Sequence, residues 1–162
     1  MKTIYLAGPD VFREDSQEWG KHLQRLCQRH SLAGLYPLDN EITPHPDPTQ
    51  TAHAIAQANM QMIMRADGVV ANLEPFRGTE PDSGTVFEVG VAIALGKPVW
   101  VYFPWGGDFL TQVADVGGGR CAQGWLIEDF GLPRNLMLSC QWQGYSPTVE
   151  EAIAAMAHYL SK

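Results

Sequence analysis

Gly68-Val-Val-Ala-Asn-Leu-Glu-Pro-Phe-Arg-Gly-Thr-Glu-Pro-Asp-Ser-Gly-Thr-Val-Phe-Glu-Val-Gly-Val-Ala-Ile-Ala-Leu-Gly-Lys-Pro-Val-Trp-Val-Tyr-Phe103 decides the fold. A short apolar run at 68–72 and a second at 98–103 are bounded by Gly and Pro and are rich in β-branched and aromatic residues, which predicts two buried strands. Between them lie a Pro/Gly-containing loop and a mostly apolar run, 84–96, that is closed by a glycine, the pattern of a buried helix. A strand, a helix and a strand in so short a span form a right-handed crossover, so the strands are parallel.

The same alternation extends outward. Thr3–Ala7 reads as a strand ended by Gly8-Pro9, and Ser16–His30 places Trp19, Leu23, Leu26 and Cys27 at helical spacing. Leu35–Leu38 reads as a further strand, Asp39–Pro48 as a proline-rich loop, and Thr49–Arg65 as a helix. The segment 104–131, rich in Gly and Trp, has no period and reads as a long loop carrying a short element. Thr148–Leu160 closes the chain as a helix with Val149, Ile153, Met156, Ala157 and Leu160 on its buried stripe. The expected fold is α/β: an open, doubly wound, flavodoxin-like or Rossmann-like parallel sheet with helices on both faces, formed by one domain over residues 1–162.

Composition removes several classes of function. Eleven basic against eighteen acidic residues give a net charge of −7, with no Lys/Arg cluster to neutralise phosphates, so no nucleic-acid partner is expected. Cys27, Cys121 and Cys140 are odd in number and lack paired spacing, which favours a reduced, cytoplasmic protein over a disulfide framework. No apolar run reaches the length of a membrane span or a secretory signal. The five histidines show no ligand spacing and no metal is expected. Gly90–Lys97 has the wrong glycine spacing for a phosphate loop, and Gly8-Pro9-Asp10 puts a proline and an acid where a dinucleotide fingerprint needs free amides. No cofactor is expected, and no Gly-x-Ser-x-Gly elbow is present.

What remains is Glu88, the one charge in the run 84–96. A carboxylate in apolar surroundings must be satisfied or used. Thr85-Val86-Phe87-Glu88 fits a capping box, a purely structural role. Asp82, six residues upstream, fits a helix cap equally well. Two acids at the mouth of a buried helix also suit chemistry at a glycosidic bond, with one as nucleophile and the other assisting the leaving group. Ligands of an open parallel sheet bind beyond the carboxyl ends of its strands. Gly8, Pro9 and Phe12, Asp39 and Asn40, and the stretch from Leu73 through Phe76 to Asp82 fall there. Tyr5, within the first strand, is either core packing or the hydroxyl partner of Glu88.

Ile4-Tyr5-Leu6-Ala7-Gly8-Pro9, Ala66–Leu73, Pro75-Phe76-Arg77-Gly78, Pro81–Gly90 and Pro133-Arg134-Asn135-Leu136-Met137, in that order, resemble nucleoside 2-deoxyribosyltransferases. The resemblance implies exchange of a 2-deoxyribosyl group between nucleobases through a covalent glycosyl-enzyme. It makes Glu88 the nucleophile, Tyr5 its orienting partner and Asp82 the residue that contacts the base and assists its protonation. Asn59 stands where some relatives carry an aspartate near the base, and this chain ends in Ser161-Lys162 where some use a terminal carboxylate. Asn135, with Met137 beside it, would reach into a neighbouring subunit to hold the sugar hydroxyls, so the resemblance also implies a homo-oligomer. A hydrolase of the same fold acting on deoxynucleosides or their 5′-monophosphates is the nearest alternative. Asp10, Glu14 and Asp15 crowd the first loop with negative charge and favour nucleosides over nucleotides. A non-catalytic nucleoside sensor with Glu88 as a cap is the alternative from another class.

Overall fold

The structure, a computed structural model, describes residues 1–162. Five strands, β1 (Lys2–Ala7), β2 (Leu32–Leu35), β3 (Gly68–Asn72), β4 (Val99–Tyr102) and β5 (Gly144–Ser146), form one sheet in the order β2-β1-β3-β4-β5. Every neighbouring pair is parallel. The chain order reverses between β1 and β3, which opens a crevice at their carboxyl ends.

Strand periodicity of two sends alternate side chains to opposite faces. Tyr5, Ala7, Val69, Ala71, Val99, Val101 and Phe103 pack against α2 (Pro48–Arg65) and α3 (Ser83–Ala94) through Met62, Ile63, Val89 and Ala92. Ile4, Leu6, Val70 and Tyr102 face α1 (Ser16–Arg29) and α6 (Val149–Leu160) through Leu23, Leu26, Cys27, Ile153 and Met156. Burying a large aliphatic side chain in such a core contributes about 1.5–3 kcal/mol, so both layers hold the sheet end in place. No helix is long and apolar enough to cross a membrane.

Two elements differ from the sequence reading. β2 runs over Leu32–Leu35 in register with Lys2–Tyr5, three residues before the expected 35–38. Pro37 has no N–H for a ladder and instead starts a 3-10 turn, Pro37–Asp39, whose Asp39 carboxylate accepts from Tyr36 N at 2.8 Å. β5 is not visible in the sequence because three residues, the first of them a strand-disfavouring glycine, are too few to show a period of two. Gly144 is required by packing: a Cβ there would collide with the Trp100 indole.

The segment after β4 holds α4 (Phe109–Gln112), an antiparallel bridge between Arg120 and Leu126, and α5 (Leu136–Ser139). Arg134, 1% exposed, anchors it. Its Nε donates to Leu73 O at 2.9 Å, its Nη1 donates to Gln112 Oε1 at 2.6 Å and Pro133 O at 2.7 Å, and its guanidinium lies 4.1 Å from the Phe103 ring centroid. Burial pushes the Arg134 pKa down, yet a guanidinium stays protonated in proteins. Its planar fork therefore ties the irregular segment to the end of β3.

Candidate active site

The site forms where α3 begins beside the end of β1. Asp82 is the N-cap of α3, and its Oδ2 accepts from Thr85 N and Thr85 Oγ1, both at 2.9 Å. The capping role thus belongs to Asp82, and the Thr85–Glu88 capping box is not formed. Glu88 lies in the second turn and points toward β1, where its Oε1 accepts from the Tyr5 hydroxyl at 2.6 Å. Tyr5 serves both readings made from the sequence: its ring belongs to the core and its hydroxyl reaches Glu88.

The electrostatics of this pair follow from burial. Desolvation raises the Glu88 pKa, the Tyr5 hydrogen bond partly offsets it, and the nearby Asp82 charge adds to it, so the carboxyl is pushed up to about 7. Burial first, and then the Glu88 charge and hydrogen bond, push the Tyr5 phenol far above its ordinary value. Tyr5 is therefore a fixed hydrogen-bond donor and not a base.

Two adjoining cavities open on Glu88. One, about 270 Å³, is lined by Gly8, Phe12, Pro37, Asn59, Asp82 and Glu88 among others. The second, about 350 Å³, is mostly apolar and runs between α2 and α3 past Ala52, Ile55, Ala56, Met60 and Phe87. Ile55, Asn59, Gly84 and Glu88 border both, so the carboxylate sits on the seam. Asn59 Oδ1 accepts from Asn40 Nδ2 at 3.4 Å. Phe12, 59% exposed, stacks on Phe76 with ring centroids 5.5 Å apart, and the Arg77 guanidinium lies over both rings. Phe76 thus supports Phe12 from behind, while Pro9 begins the 3-10 turn Pro9–Phe12 without lining either cavity.

Asn135 and Met137 are not brought to Glu88. They border a different cavity, about 410 Å³, with Ser83, Val86 and Gly90 on another face of α3. Asn135 caps α5: its Oδ1 accepts from Met137 N at 2.9 Å, and its Nδ2 donates to Glu128 Oε1 at 2.5 Å. Sequence reasoning missed the contribution of α2 through Ile55 and its neighbours. The available signal was a helical stripe at 52, 55, 56, 59, 60 and 63 interrupted by one polar residue, Asn59.

These features define an α/β protein with a carboxylate–tyrosine pair in a cleft at the switch point of its parallel sheet. The sequence model of the nucleoside 2-deoxyribosyltransferase family matches residues 4–137, and the chain belongs to that family. A 2-deoxyribosyltransferase from Leishmania mexicana is 35% identical, with 98% of this chain and 99% of that one aligned at a TM-score of 0.80. A 2-deoxyribosyltransferase from Bacillus psychrosaccharolyticus, 18% identical over 96% of this chain and 95% of that one with a TM-score of 0.63, shares the fold. An uncharacterized protein of Schizosaccharomyces pombe is 32% identical over 99 residues, which make up 59% of this chain and 47% of that protein. The match thus spans about half the length of that relative.

Proposed function

We propose that this protein transfers a 2-deoxyribosyl group between nucleobases, with 2′-deoxynucleosides as donors and Glu88 as the nucleophile. The observation that carries the reading is the Glu88–Tyr5 pair. Glu88 is freed from helix capping by Asp82, held by one hydroxyl donor at 2.6 Å, and faces two cavities. In the first step a Glu88 carboxylate oxygen bonds to the anomeric carbon while the carbon–nitrogen bond to the base breaks. The bonding electrons leave with the base, whose protonation Asp82 assists from the wall of the same cavity. In the second step a nitrogen of the acceptor base attacks the anomeric carbon, its N–H proton passes to Asp82, and the carbon–oxygen bond to Glu88 breaks with its electron pair returning to the carboxylate. Tyr5 holds the carboxylate in line through both steps. Gly8 and Phe12 line the base pocket, backed by Phe76, and Asn59 faces the base.

The apolar cavity beside Glu88 offers few polar groups for the sugar hydroxyls. Asn135 of a second copy would supply them, with Met137, 67% exposed, filling the apolar lobe beside it. The working unit in this reading is a homo-oligomer.

Incubation with a deoxynucleoside, with and without a second base, tests the reaction. An exchanged nucleoside is the expected product. Free base alone would mark a hydrolase, and binding without turnover a sensor.

A further inference from the structure

We propose that Asp10 is a positioning residue for the nucleobase pocket: its carboxylate pins the turn Pro9–Phe12 to the ends of β3 and β4 and thereby fixes Phe12 beside Glu88. The inference rests on the base-pocket role of Phe12 given above. Asp10 is only 8% exposed, yet neither ion pair of the structure, Lys2–Asp67 and Arg13–Asp15, includes it. Burying an acid outside any ion pair is unfavourable unless its hydrogen bonds satisfy it. Its Oδ2 accepts from Asn72 Nδ2, at the end of β3, at 3.2 Å and lies 3.5 Å from the Tyr102 hydroxyl, at the end of β4.

The turn distributes its residues to two sides of the sheet end. Gly8, Val11 and Phe12 line the Glu88 cleft, whereas Asp10 and Arg13 line a separate cavity of about 340 Å³ with Asn72, Glu74 and Tyr102. Phe12 itself is largely exposed and touches no core cluster, so its location depends on the turn that carries it and on Phe76. Gly8 shows how tightly the pin closes: a Cβ there would collide with Asp10 Oδ2 and would lie 2.9 Å from Asn72 Cβ. The backbone entering the cleft can pass this point only because the residue is glycine.

The test uses wild type, Asp10→Ala, Asn72→Asp and the exchanged pair Asp10→Asn/Asn72→Asp. Each is assayed with a deoxynucleoside and with 2-deoxyribosyl fluoride, a donor whose leaving group has no ring to stack. Wild-type turnover of both donors checks the proposed reaction before any variant is compared. Its absence overturns that reading, not the role of Asp10, which is then read from the affinity for deoxynucleoside in calorimetry. Asp10→Ala and Asn72→Asp should raise KM, or that Kd, for the deoxynucleoside roughly tenfold, the effect of losing a hydrogen bond to a charged group, with little change for the fluoride. The exchanged pair restores a donor facing an acceptor and should recover most of that loss. If Asp10→Ala does not fold, Asn72→Asp against the exchanged pair decides. Unchanged KM in a folded variant, equal changes for both donors, or no recovery in the exchanged pair would overturn the proposal.

Discussion

Helix α3 presents one face to the cleft at Glu88 and another to the cavity at Asn135, and the two differ in kind. One face carries Gly84, Phe87 and Glu88 and meets the cleft at the end of β1, where a buried carboxylate is pushed up to about 7. The other carries Ser83, Val86 and Gly90 and meets the cavity of Asn135 and Met137, whose polar groups are already engaged in capping α5. The two faces differ in how far their polar groups are satisfied. Glu88 is held by a single hydroxyl donor in a desolvated place, whereas Asn135 is fixed by local hydrogen bonds and Met137 beside it is exposed. Asp82 and Glu88 make the same point within the first two turns: the satisfied carboxylate starts the helix, and the less satisfied one faces the cleft.

The largest expected effect falls on the reactive face. Glu88→Ala should lower transfer roughly 10⁴-fold or more, as removal of a nucleophile does elsewhere, while circular dichroism reports a folded protein. A deoxyribosyl adduct at Glu88, trapped by rapid quenching without acceptor base and weighed by mass spectrometry, is expected in the wild type only. The proposed role of Asn135 in a neighbour's site is tested by mixing. Glu88→Ala and Asn135→Ala proteins, each inactive alone, should together regain roughly a quarter of wild-type activity after subunit exchange if two sites are shared in an isologous dimer. No recovery after demonstrated exchange would place Asn135 outside the neighbour's site.

Smaller effects sharpen the electrostatic half of the comparison. In the proposed reaction Glu88 must be anionic, so kcat/KM should rise with pH through about 7. Tyr5→Phe removes the one donor that lowers the Glu88 pKa, so this limb should move to higher pH and the rate at neutral pH should fall roughly tenfold. A limb that does not move would detach it from Glu88.

The last effect is on stability and not on rate. Because the folded pKa of Glu88 is raised, folding holds a proton that the unfolded chain releases, and stability is lost as pH rises from the ordinary glutamate value through about 7. Glu88→Gln should remove that loss, roughly 3 kcal/mol for a shift of this size. Chemical denaturation of both proteins at pH 5 and pH 8 measures it, and a parallel pH dependence would assign the loss to another group.

Much of the frame was legible in the sequence because it rests on local rules. The strands β1, β3 and β4 and the helices α1, α2, α3 and α6 lie where apolar periodicity and Gly/Pro boundaries place them. β2 was displaced because Leu35-Tyr36-Pro37-Leu38 is apolar enough for a strand, while the proline directs its end into a 3-10 turn. β5 and the anchoring by Arg134 were invisible, since each depends on partners tens of residues away: the Trp100 indole for Gly144, and Leu73 O and Phe103 for Arg134.

The sequence by itself determined the parallel α/β class and the isolation of Glu88 among apolar neighbours. It also made Tyr5, Asp82 and Asn135 candidates without choosing between their structural and chemical roles. Only the tertiary structure decided that Asp82 caps α3, that Glu88 meets Tyr5 on the sheet face that α3 covers, and that Asn135 borders another face of that helix. The reason is physical: secondary structure follows from periodicity within one segment, whereas the partner of a polar group is set by contacts between segments distant in the chain.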